Sequence, residues 1–378
     1  MIRLKTLTQG ALRDLLQCEE LFRLKRLARL RSPEFSPPLV AGSSVHIGIE
    51  KRSATAAMTH YMDSMGGLFL HGDEEWEAQM GSQRVFAMVE AALNRWGDDW
   101  PDEQEVEFGL DFINPATGGR SPRHVYRGVI DGYPGPGGSG GWVNVLGEWK
   151  TAASPGDAYF DRLRIDWQVS AYCEAASRIQ GQPVREVRYR VIQKPTIRPS
   201  RGEDEATYRA RCAERKPLAP LKQRKTETDE QYAARSEARE AKRPPLKRKV
   251  RDTRNSYLDR LRRWYGGHGV GEEIRTDRLT EVRVTRTEEQ MERWRFEAWE
   301  LHRRALEVER AHNSAEAGEP LPSVPIRNDS RCNLYGVRCA FLSLCSGLVG
   351  PEAYRVIPTP YPELRDGDHF TDTRLERN

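Results

Sequence analysis

Two short segments of the sequence carry carboxylates and a lysine at a spacing that could bind a metal ion. They are GVIDGY, which contains Asp131, and LGEWKT, which contains Glu148 and Lys150. Side chains alternate faces along a strand, so Glu148 and Lys150 point the same way. If the intervening glycine-rich loop turns at Ser139–Gly140, Asp131 lies opposite Glu148. Two carboxylates and an ammonium group at one place on a sheet could hold Mg²⁺ or Mn²⁺ and orient a water molecule.

The same three residues could instead form a cross-strand salt bridge. Such pairs are common on exposed sheets. The spacing alone therefore leaves a catalytic and a structural interpretation open.

Half of the six cysteines, Cys332, Cys339 and Cys345, lie close together near the end of the chain. The first thirty residues carry Arg, Asp and Glu throughout, unlike a signal peptide. No apolar run approaches the roughly 18 residues of a membrane span. We therefore expect a cytoplasmic protein whose cysteines are free thiols or metal ligands rather than disulfides.

The hydrophobic pattern predicts the elements that would position these groups. Amphipathic spacing predicts helices over 6–31, 44–65, 74–96, 161–179 and 288–312. Apolar–polar alternation predicts strands over 104–112, 124–133, 141–151, 185–195 and 279–287. The expected fold is α/β, with a central mixed sheet flanked by helices.

The charge distribution suggests how the chain is divided. The net charge is +4, but residues 201–265 hold 20 Lys and Arg against 11 Asp and Glu. We expect 1–195 to form the core with the active site, 196–270 a charged, largely helical insertion, and 271–348 the rest of the core with the cysteines. Residues 349–378 would be a flexible tail.

The insertion contains a weak repeat with a 24-residue offset. The matching residues are Glu203/Glu227, Tyr208/Tyr232, Arg211/Arg235 and Arg215/Arg239. A solvated helical hairpin is the favoured interpretation, and a basic arm that holds nucleic-acid phosphates is the alternative.

Taken together, five motifs resemble the PD-(D/E)XK nuclease superfamily, specifically its RecB-like exonuclease branch. In chain order they are GSSVHIGIE with Gly42, His46 and Glu50, VEF with Glu107, GVIDGY, GEWKT, and a helix with Gln168 and Tyr172. The resemblance extends over about 6–195 and 275–348. It implies a nuclease core with the fold predicted above.

The resemblance also implies roles for individual residues. His46, Asp131, Glu148 and the backbone carbonyl of Trp149 would bind Mg²⁺ or Mn²⁺. Lys150 would activate the attacking water. Gln168 and Tyr172, which share one helix face, would brace the lysine and the DNA.

Some members of this branch, including AddB and the four-cysteine CRISPR-associated exonucleases, hold a 4Fe–4S cluster. The resemblance implies that Cys18, Cys332, Cys339 and Cys345 are its ligands here. The spacing of the last three is wider than the family's usual pattern, so Zn²⁺ or buried free cysteines remain alternatives. Cys173 and Cys212 have no partner pattern.

The resulting hypothesis is a metal-dependent DNA exonuclease with a structural iron–sulfur cluster, of the kind used in phage or bacterial DNA repair and recombination. Arg127, Lys194, Arg198 and the basic insertion could follow the DNA backbone, and a helicase or recombinase could be a partner. The alternatives are an endonuclease on the same core, a non-catalytic DNA-binding or recombination accessory factor, and a redox or metal sensor.

Overall fold

The structure is a computed structural model of the chain. It describes residues 2–32, 37–66, 71–134, 142–216, 218, 221–266, 277–318, 324–334, 337–361, 364 and 370–372. The expected turn at Ser139–Gly140 lies outside these residues. Within them, every helix is too short or too polar to span a bilayer.

Helices and strands follow one another in short runs along the chain. The strands are β1 Ile2–Leu4, β2 Thr6–Thr8, β3 Leu30–Arg31, β4 Glu103–Ile113, β5 Arg120–Tyr133, β6 Val145–Ala152, β7 Glu186–Gln193, β8 Leu279–Thr285, β9 Asn333–Leu334, β10 Val337–Arg338, β11 Arg355–Val356 and β12 Phe370–Asp372. The helices are α1 Gln9–Gln17, α2 Glu19–Phe22, α3 Pro37–Glu50, α4 Ala54–Gly66, α5 Asp73–Trp96, α6 Asp157–Leu163, α7 Trp167–Gln180, α8 Glu205–Ala213, α9 Asp229–Ala241, α10 Arg254–Tyr265, α11 Glu288–Glu316 and α12 Leu342–Cys345.

A six-stranded mixed sheet forms the centre, in the order β2-β5-β6-β7-β8 with β4 paired to β5. The pairs β4–β5, β5–β6 and β7–β8 are antiparallel, whereas β2–β5 and β6–β7 are parallel. A parallel pair needs a crossover connection, and between β6 and β7 this connection contains α6 and α7. The α/β fold with a central sheet is therefore confirmed.

Two buried clusters cover the two faces of the sheet, and β7 shows how the sequence divides them. Val187, Tyr189 and Val191 belong to the cluster formed with α1, α7 and α11. Ile192 belongs to the cluster formed with α3, α4, α5 and α10. Because successive side chains on a strand point to opposite faces, one strand supplies both cores.

Three of the predicted helices are wrong. The segment expected as one helix over 161–179 is divided between α6 and α7, with Asp166 capping α7. The segment expected as one helix over 6–31 contains β2, α1 and α2, a π-helical turn over 23–27, and β3. Thr8 caps α1 by accepting a hydrogen bond from the Ala11 N–H at 3.2 Å, and Cys18 is extended at φ −169°. The helix expected over 44–65 is divided into α3 and α4, with Arg52 at φ +47° between them. Leucine spacing alone did not reveal these breaks.

The charged region contains α8, α9 and α10. The two copies of the sequence repeat have the same local structure: Arg211 pairs with Glu203 and Arg235 pairs with Glu227. In contrast, α10 buries Tyr257, Leu261 and Tyr265 against the core beside α5. These last three residues are thus part of the core packing.

Part of the expected flexible tail packs against the N-terminal segment. Tyr361 is completely buried, and Arg26 donates a hydrogen bond to the Pro360 carbonyl at 2.8 Å. Strand β11 pairs with β3, and β12 pairs with β1. The described residues of 349–378 are therefore packed against the N-terminal segment, whereas a flexible tail was predicted.

Candidate active site

Asp131 and Glu148 lie on the adjacent antiparallel strands β5 and β6. Gly132 pairs with Gly147, so Asp131 lies opposite Glu148. This pairing confirms the predicted register. The backbone N–H of Trp149 donates to Asp131 Oδ2 at 2.9 Å. This bond fixes the carboxylate of one strand to the backbone of the other.

The indole of Trp149 lies against two glycines, Gly132 and Gly147, beside these carboxylates. A Cβ atom added at Gly132 would lie 2.7 Å from the Trp149 indole, and one added at Gly147 would lie 2.6 Å from it. Trp100 stacks on the same indole with a centroid distance of 5.5 Å, and Trp142 does so at 6.4 Å. Both glycines are thus required for the ring to reach its position.

A buried arginine supports this tryptophan layer. The Arg190 side chain is fully buried, with its guanidinium 5.7 Å from the centroid of the Trp149 ring. It donates to the Glu281 carboxylate at 2.7 Å and to the carbonyl and carboxylate of Asp99 at 2.6 Å. Because a buried guanidinium with satisfied donors is held firmly, the backbone of Trp149 has a rigid support.

Three potential metal ligands converge in front of this support. His46 Nδ1 on α3 lies 3.6 Å from Asp131 Oδ2 and 3.8 Å from Glu105 Oε1. One ligand atom from each of the three residues lies within 4.8 Å of the others. Burial lowers the pKa of His46, but the Asp131 and Glu105 carboxylates raise it more, so the net shift is upward.

Glu105 has a positive φ of +53°. This conformation is uncommon for a residue with a side chain and costs about 1–3 kcal/mol. Glu105 lies between the pairs Gln104–Gly132 and Val106–Ile130, and so sits across from Asp131. The strained backbone of Glu105 thus accompanies the placement of its carboxylate near that of Asp131.

Buried Glu148 forms an ion pair with Lys150, whose side chain is 29% exposed, beside these ligands. Only 1% of Glu148 is exposed; burial, followed by the Asp131 charge, raises the pKa of Glu148 well above its usual value, although Lys150 opposes the shift. Burial lowers the pKa of Lys150, but Glu148 and Asp131 raise it more. Lys150 therefore keeps its proton at Nζ.

The chemistry of these side chains fits a divalent cation. Apart from the contact with Lys150, both buried oxygens of Glu148 lack a hydrogen-bond partner in the described residues. Carboxylate oxygens with an imidazole nitrogen suit Mg²⁺ or Mn²⁺. A cation would also offset the repulsion among Glu105, Asp131 and Glu148.

The predicted pair on α7 lies next to the carboxylates. Gln168 Nε2 donates to the Tyr172 hydroxyl at 2.6 Å. Burial, then the charges of Glu148 and Asp131, raises the pKa of Tyr172 well above its usual value. Asp166 caps α7 and accepts from the Gln168 N–H at 2.9 Å. Gln168 and Tyr172 are thereby held at the edge of the site.

The four cysteines expected as ligands lie in one region of the molecule. The Cys339 N–H donates to the Cys332 carbonyl at 2.8 Å, and Cys339 and Cys345 pack against one apolar cluster. Burial, then Cys339 and Cys18, raises the pKa of Cys332. Among the described residues, however, no three cysteine sulfurs lie within 4.8 Å of one another.

The sequence analysis missed Glu105. The motif pointed to Glu107, whose carboxylate accepts from Arg127 on β5 at 3.2 Å. Acidic residues alternate along β4, so several could oppose Asp131. The register of β4 on β5 pairs Glu107 with Val129 and places Glu105 opposite Asp131, and the sequence alone did not define this register.

The comparisons with known proteins agree with this geometry. The sequence profile of the PD-(D/E)XK nuclease superfamily matches residues 6–346. No curated protein matches the chain significantly.

Proposed function

The chain belongs to the PD-(D/E)XK nuclease superfamily, and from this premise we propose that it is a metal-dependent DNA exonuclease of the RecB-like branch. Membership indicates a nuclease that uses Mg²⁺ or Mn²⁺ to hydrolyse phosphodiester bonds. The observation that carries the proposal is the approach of His46 to Asp131 beside the ion pair of Glu148 and Lys150.

In the proposed mechanism, His46, Asp131, Glu148 and the Trp149 carbonyl would hold the ion, and Glu105 would be an additional acidic ligand. When bound, the ion supplies Lewis-acid chemistry, which promotes ionisation of water and stabilises negative charge on a phosphate.

Lys150 acts as a cation rather than as a proton acceptor. Its ammonium group keeps its proton because Glu148 and Asp131 raise its pKa. It can therefore donate a hydrogen bond to the attacking water and stabilise charge that develops on the phosphate. Tyr172 and Gln168 position the substrate at the edge of the site through their shared hydrogen bond.

The test is incubation of the purified protein with end-labelled linear DNA and with closed circular DNA, in Mg²⁺ or Mn²⁺ and in EDTA. Lys150→Met removes the ammonium group, and Lys51→Met, at an exposed position just after α3, is the matched control. We expect metal-dependent loss of linear DNA with the circles intact, and no cleavage by Lys150→Met.

Other outcomes separate the alternatives. Nicking of the circles would favour an endonuclease on the same core. Binding without cleavage in any metal would favour the non-catalytic accessory factor. Equal cleavage by wild type and Lys150→Met would refute the role of the lysine.

We also propose that Cys18, Cys332, Cys339 and Cys345 hold a 4Fe–4S cluster. Support comes from their common region and from the mutual effects of their thiols on pKa. In a zinc site with Zn–S bonds of about 2.3 Å, neighbouring sulfurs are about 3.8 Å apart. No three of the described sulfurs come within 4.8 Å of one another, which is wider than this zinc geometry.

Metal analysis tests this assignment independently of cleavage. Anaerobically purified wild type should contain iron and acid-labile sulfide. Cys339→Ser should lose both, and Cys212→Ser, in the exposed part of α8, should retain them. Zinc in place of iron would refute the cluster but keep a metal site. Absence of both metals would favour free cysteines.

A further inference from the structure

The turn between α6 and α7 carries both the cap of α7 and one of the predicted site residues. Asp166 accepts hydrogen bonds from the Gln168 N–H at 2.9 Å and from the Val169 N–H at 3.4 Å. Gln168 in turn donates from Nε2 to the Tyr172 hydroxyl at 2.6 Å. The position of this turn therefore determines where Gln168 and Tyr172 lie relative to the carboxylates of the sheet.

One side chain from a distant part of the chain holds this turn in place. Arg286 directly follows β8, more than a hundred residues after the turn. Its guanidinium donates to four acceptors, which are Ser170 Oγ at 2.8 Å and the carbonyls of Leu163 at 3.0 Å, Asp166 at 2.8 Å and Thr285 at 3.0 Å. A single guanidinium therefore joins the end of α6, the turn and the first turns of α7 to the end of β8.

Arg286 supplies geometry to the turn rather than a charge pair. Only 4% of the residue is exposed, and among the described residues its guanidinium has no carboxylate partner. The buried Arg190 differs, because it pairs with Asp99 and Glu281. A buried cation that is balanced only by neutral acceptors costs stability. It is tolerated here because the acceptors converge on its planar fork of donors.

The acceptors of Arg286 lie on both sides of Gln168 along the chain. Asp166 is two residues before Gln168, and Ser170 is two residues after it. Loss of either contact would free the first turn of α7 on one side. Gln168 Nε2 and the Tyr172 hydroxyl that it binds would then move together.

The anchored turn also lies within electrostatic reach of the reactive groups. Burial and the Asp131 charge are the main causes of the raised pKa of Glu148, and the Asp166 charge adds to them. Burial lowers the pKa of Lys150, but the charges of Glu148, Asp131 and Asp166 raise it more. The turn that Arg286 holds is therefore close to the groups that would carry out the reaction.

We propose that Arg286 is a positioning residue for the cleavage reaction, acting through the turn before α7 to hold Gln168 and Tyr172 in place. The inference rests on the proposed nuclease function. The side chain of Arg286 is too deeply buried to touch DNA. Its hydrogen bonds within the described residues go to none of the proposed metal ligands. Its effect on the rate is thus exerted through α7.

The test compares Arg286→Lys and Ser170→Ala with the wild type. Lysine keeps the buried charge, but its single ammonium group lacks the fork that reaches Ser170, Leu163 and Asp166 together. Ser170→Ala removes one anchor and leaves the arginine in place. For each protein we would measure the melting temperature, the affinity for labelled linear DNA in EDTA by fluorescence anisotropy, and the cleavage rate at saturating DNA in Mg²⁺ or Mn²⁺.

We expect both variants to fold and to bind DNA as tightly as the wild type. The cleavage rate should fall by about 10- to 100-fold for Arg286→Lys, because a misplacement of about 1 Å can cost about 100-fold. Ser170→Ala should lose less. The matched control is Arg295→Gln, since Arg295 also donates to α7, at Glu174 (2.9 Å), but from α11 and beyond Tyr172. This control should cleave DNA at the wild-type rate.

A double variant separates positioning from a general loss of stability. If Arg286 acts through Gln168, Arg286→Lys should lower the rate much less in a Gln168→Ala background than in the wild type. A residue that only stabilises the fold would lower the rate by the same factor in both backgrounds. If Arg286→Lys does not fold, Ser170→Ala is combined with Gln168→Ala in the same way.

The outcomes distinguish this inference from the proposed function. Wild-type cleavage rates in folded Arg286→Lys and Ser170→Ala proteins overturn the inference and leave the nuclease intact. The same holds if DNA affinity falls in step with the rate, or if the loss is equal with and without Gln168. Absence of cleavage by the wild type in any metal overturns the proposed function, and the inference with it.

Discussion

A single methyl group added at Gly147 is expected to slow DNA cleavage strongly while the protein remains folded. The new Cβ would lie 2.6 Å from the Trp149 indole and 3.3 Å from that of Trp142. Ordinary contact begins near 3.4 Å, so the Trp149 ring must retreat by close to 1 Å or the strands must separate. The stacked Trp100 and the buried Arg190 oppose that retreat.

The contacts of Trp149 determine how much stability and how much cleavage activity the added methyl group removes. Overpacking a close-packed core costs about 1–3 kcal/mol. In a chain of 378 residues, 1 kcal/mol changes the melting temperature by about 1.3 °C. Any shift of Trp149 also displaces the N–H that holds Asp131 at 2.9 Å, and a misplacement of about 1 Å can cost about 100-fold in rate.

The assay compares Gly147→Ala with Gly156→Ala, whose added Cβ would meet nothing within 4 Å. We expect Gly147→Ala to melt about 1–4 °C lower and to cleave linear DNA about 100-fold more slowly. Gly156→Ala should match wild type in both. Wild-type cleavage by a folded Gly147→Ala protein would refute the argument that the tryptophan layer positions Asp131.

Three other changes test the groups around the site. Glu148→Gln should raise the stability of the metal-free protein by about 0.5–2 kcal/mol, because burial and Asp131 disfavour the ionised carboxylate, and should reduce cleavage by at least about 100-fold; denaturant titration and the DNA assay measure the two effects. Arg190→Met should cost about 1–3 kcal/mol in unfolding free energy, because it leaves the partly exposed Glu281 carboxylate without its hydrogen-bond partner. Burial lowers the pKa of His302 to about 4. As the pH falls, His302 is therefore protonated in the unfolded chain before it is protonated in the folded protein. The free energy of unfolding should consequently decrease by about 3 kcal/mol between pH 6.5 and 4. His302→Gln should lose correspondingly less stability over that range, and an unchanged pH dependence would contradict this assignment.

The central hairpin was predictable because its signals are local. A glycine-rich loop marks the turn between two alternating strands, and the pairing of Gly132 with Gly147 follows from its midpoint. The motif around Glu148 and Lys150 then gave the placement of the charged side chains. Amphipathic spacing was similarly sufficient for α5 and α11.

The rest depends on contacts between distant parts of the chain. The sequence does not show that Trp149 crosses two glycines to meet Trp100, or that Arg190 lies behind it. Glu105 lies opposite Asp131 in a register that the sequence did not define, and with a positive φ of +53°. The predicted first helix failed because β2 gains its partner from β5, more than a hundred residues later.

The pairing of β1 with β12 has a consequence for biosynthesis. Residues 2–4 leave the ribosome about 370 residues before their partners at 370–372. At synthesis rates of about 5–20 residues per second, this strand waits roughly 20–70 s with an unpaired edge. Such long-range contacts also slow folding. We expect the nascent chain to need protection at its N-terminal segment, and a truncation before β11 and β12 to aggregate during expression rather than to accumulate as a soluble core.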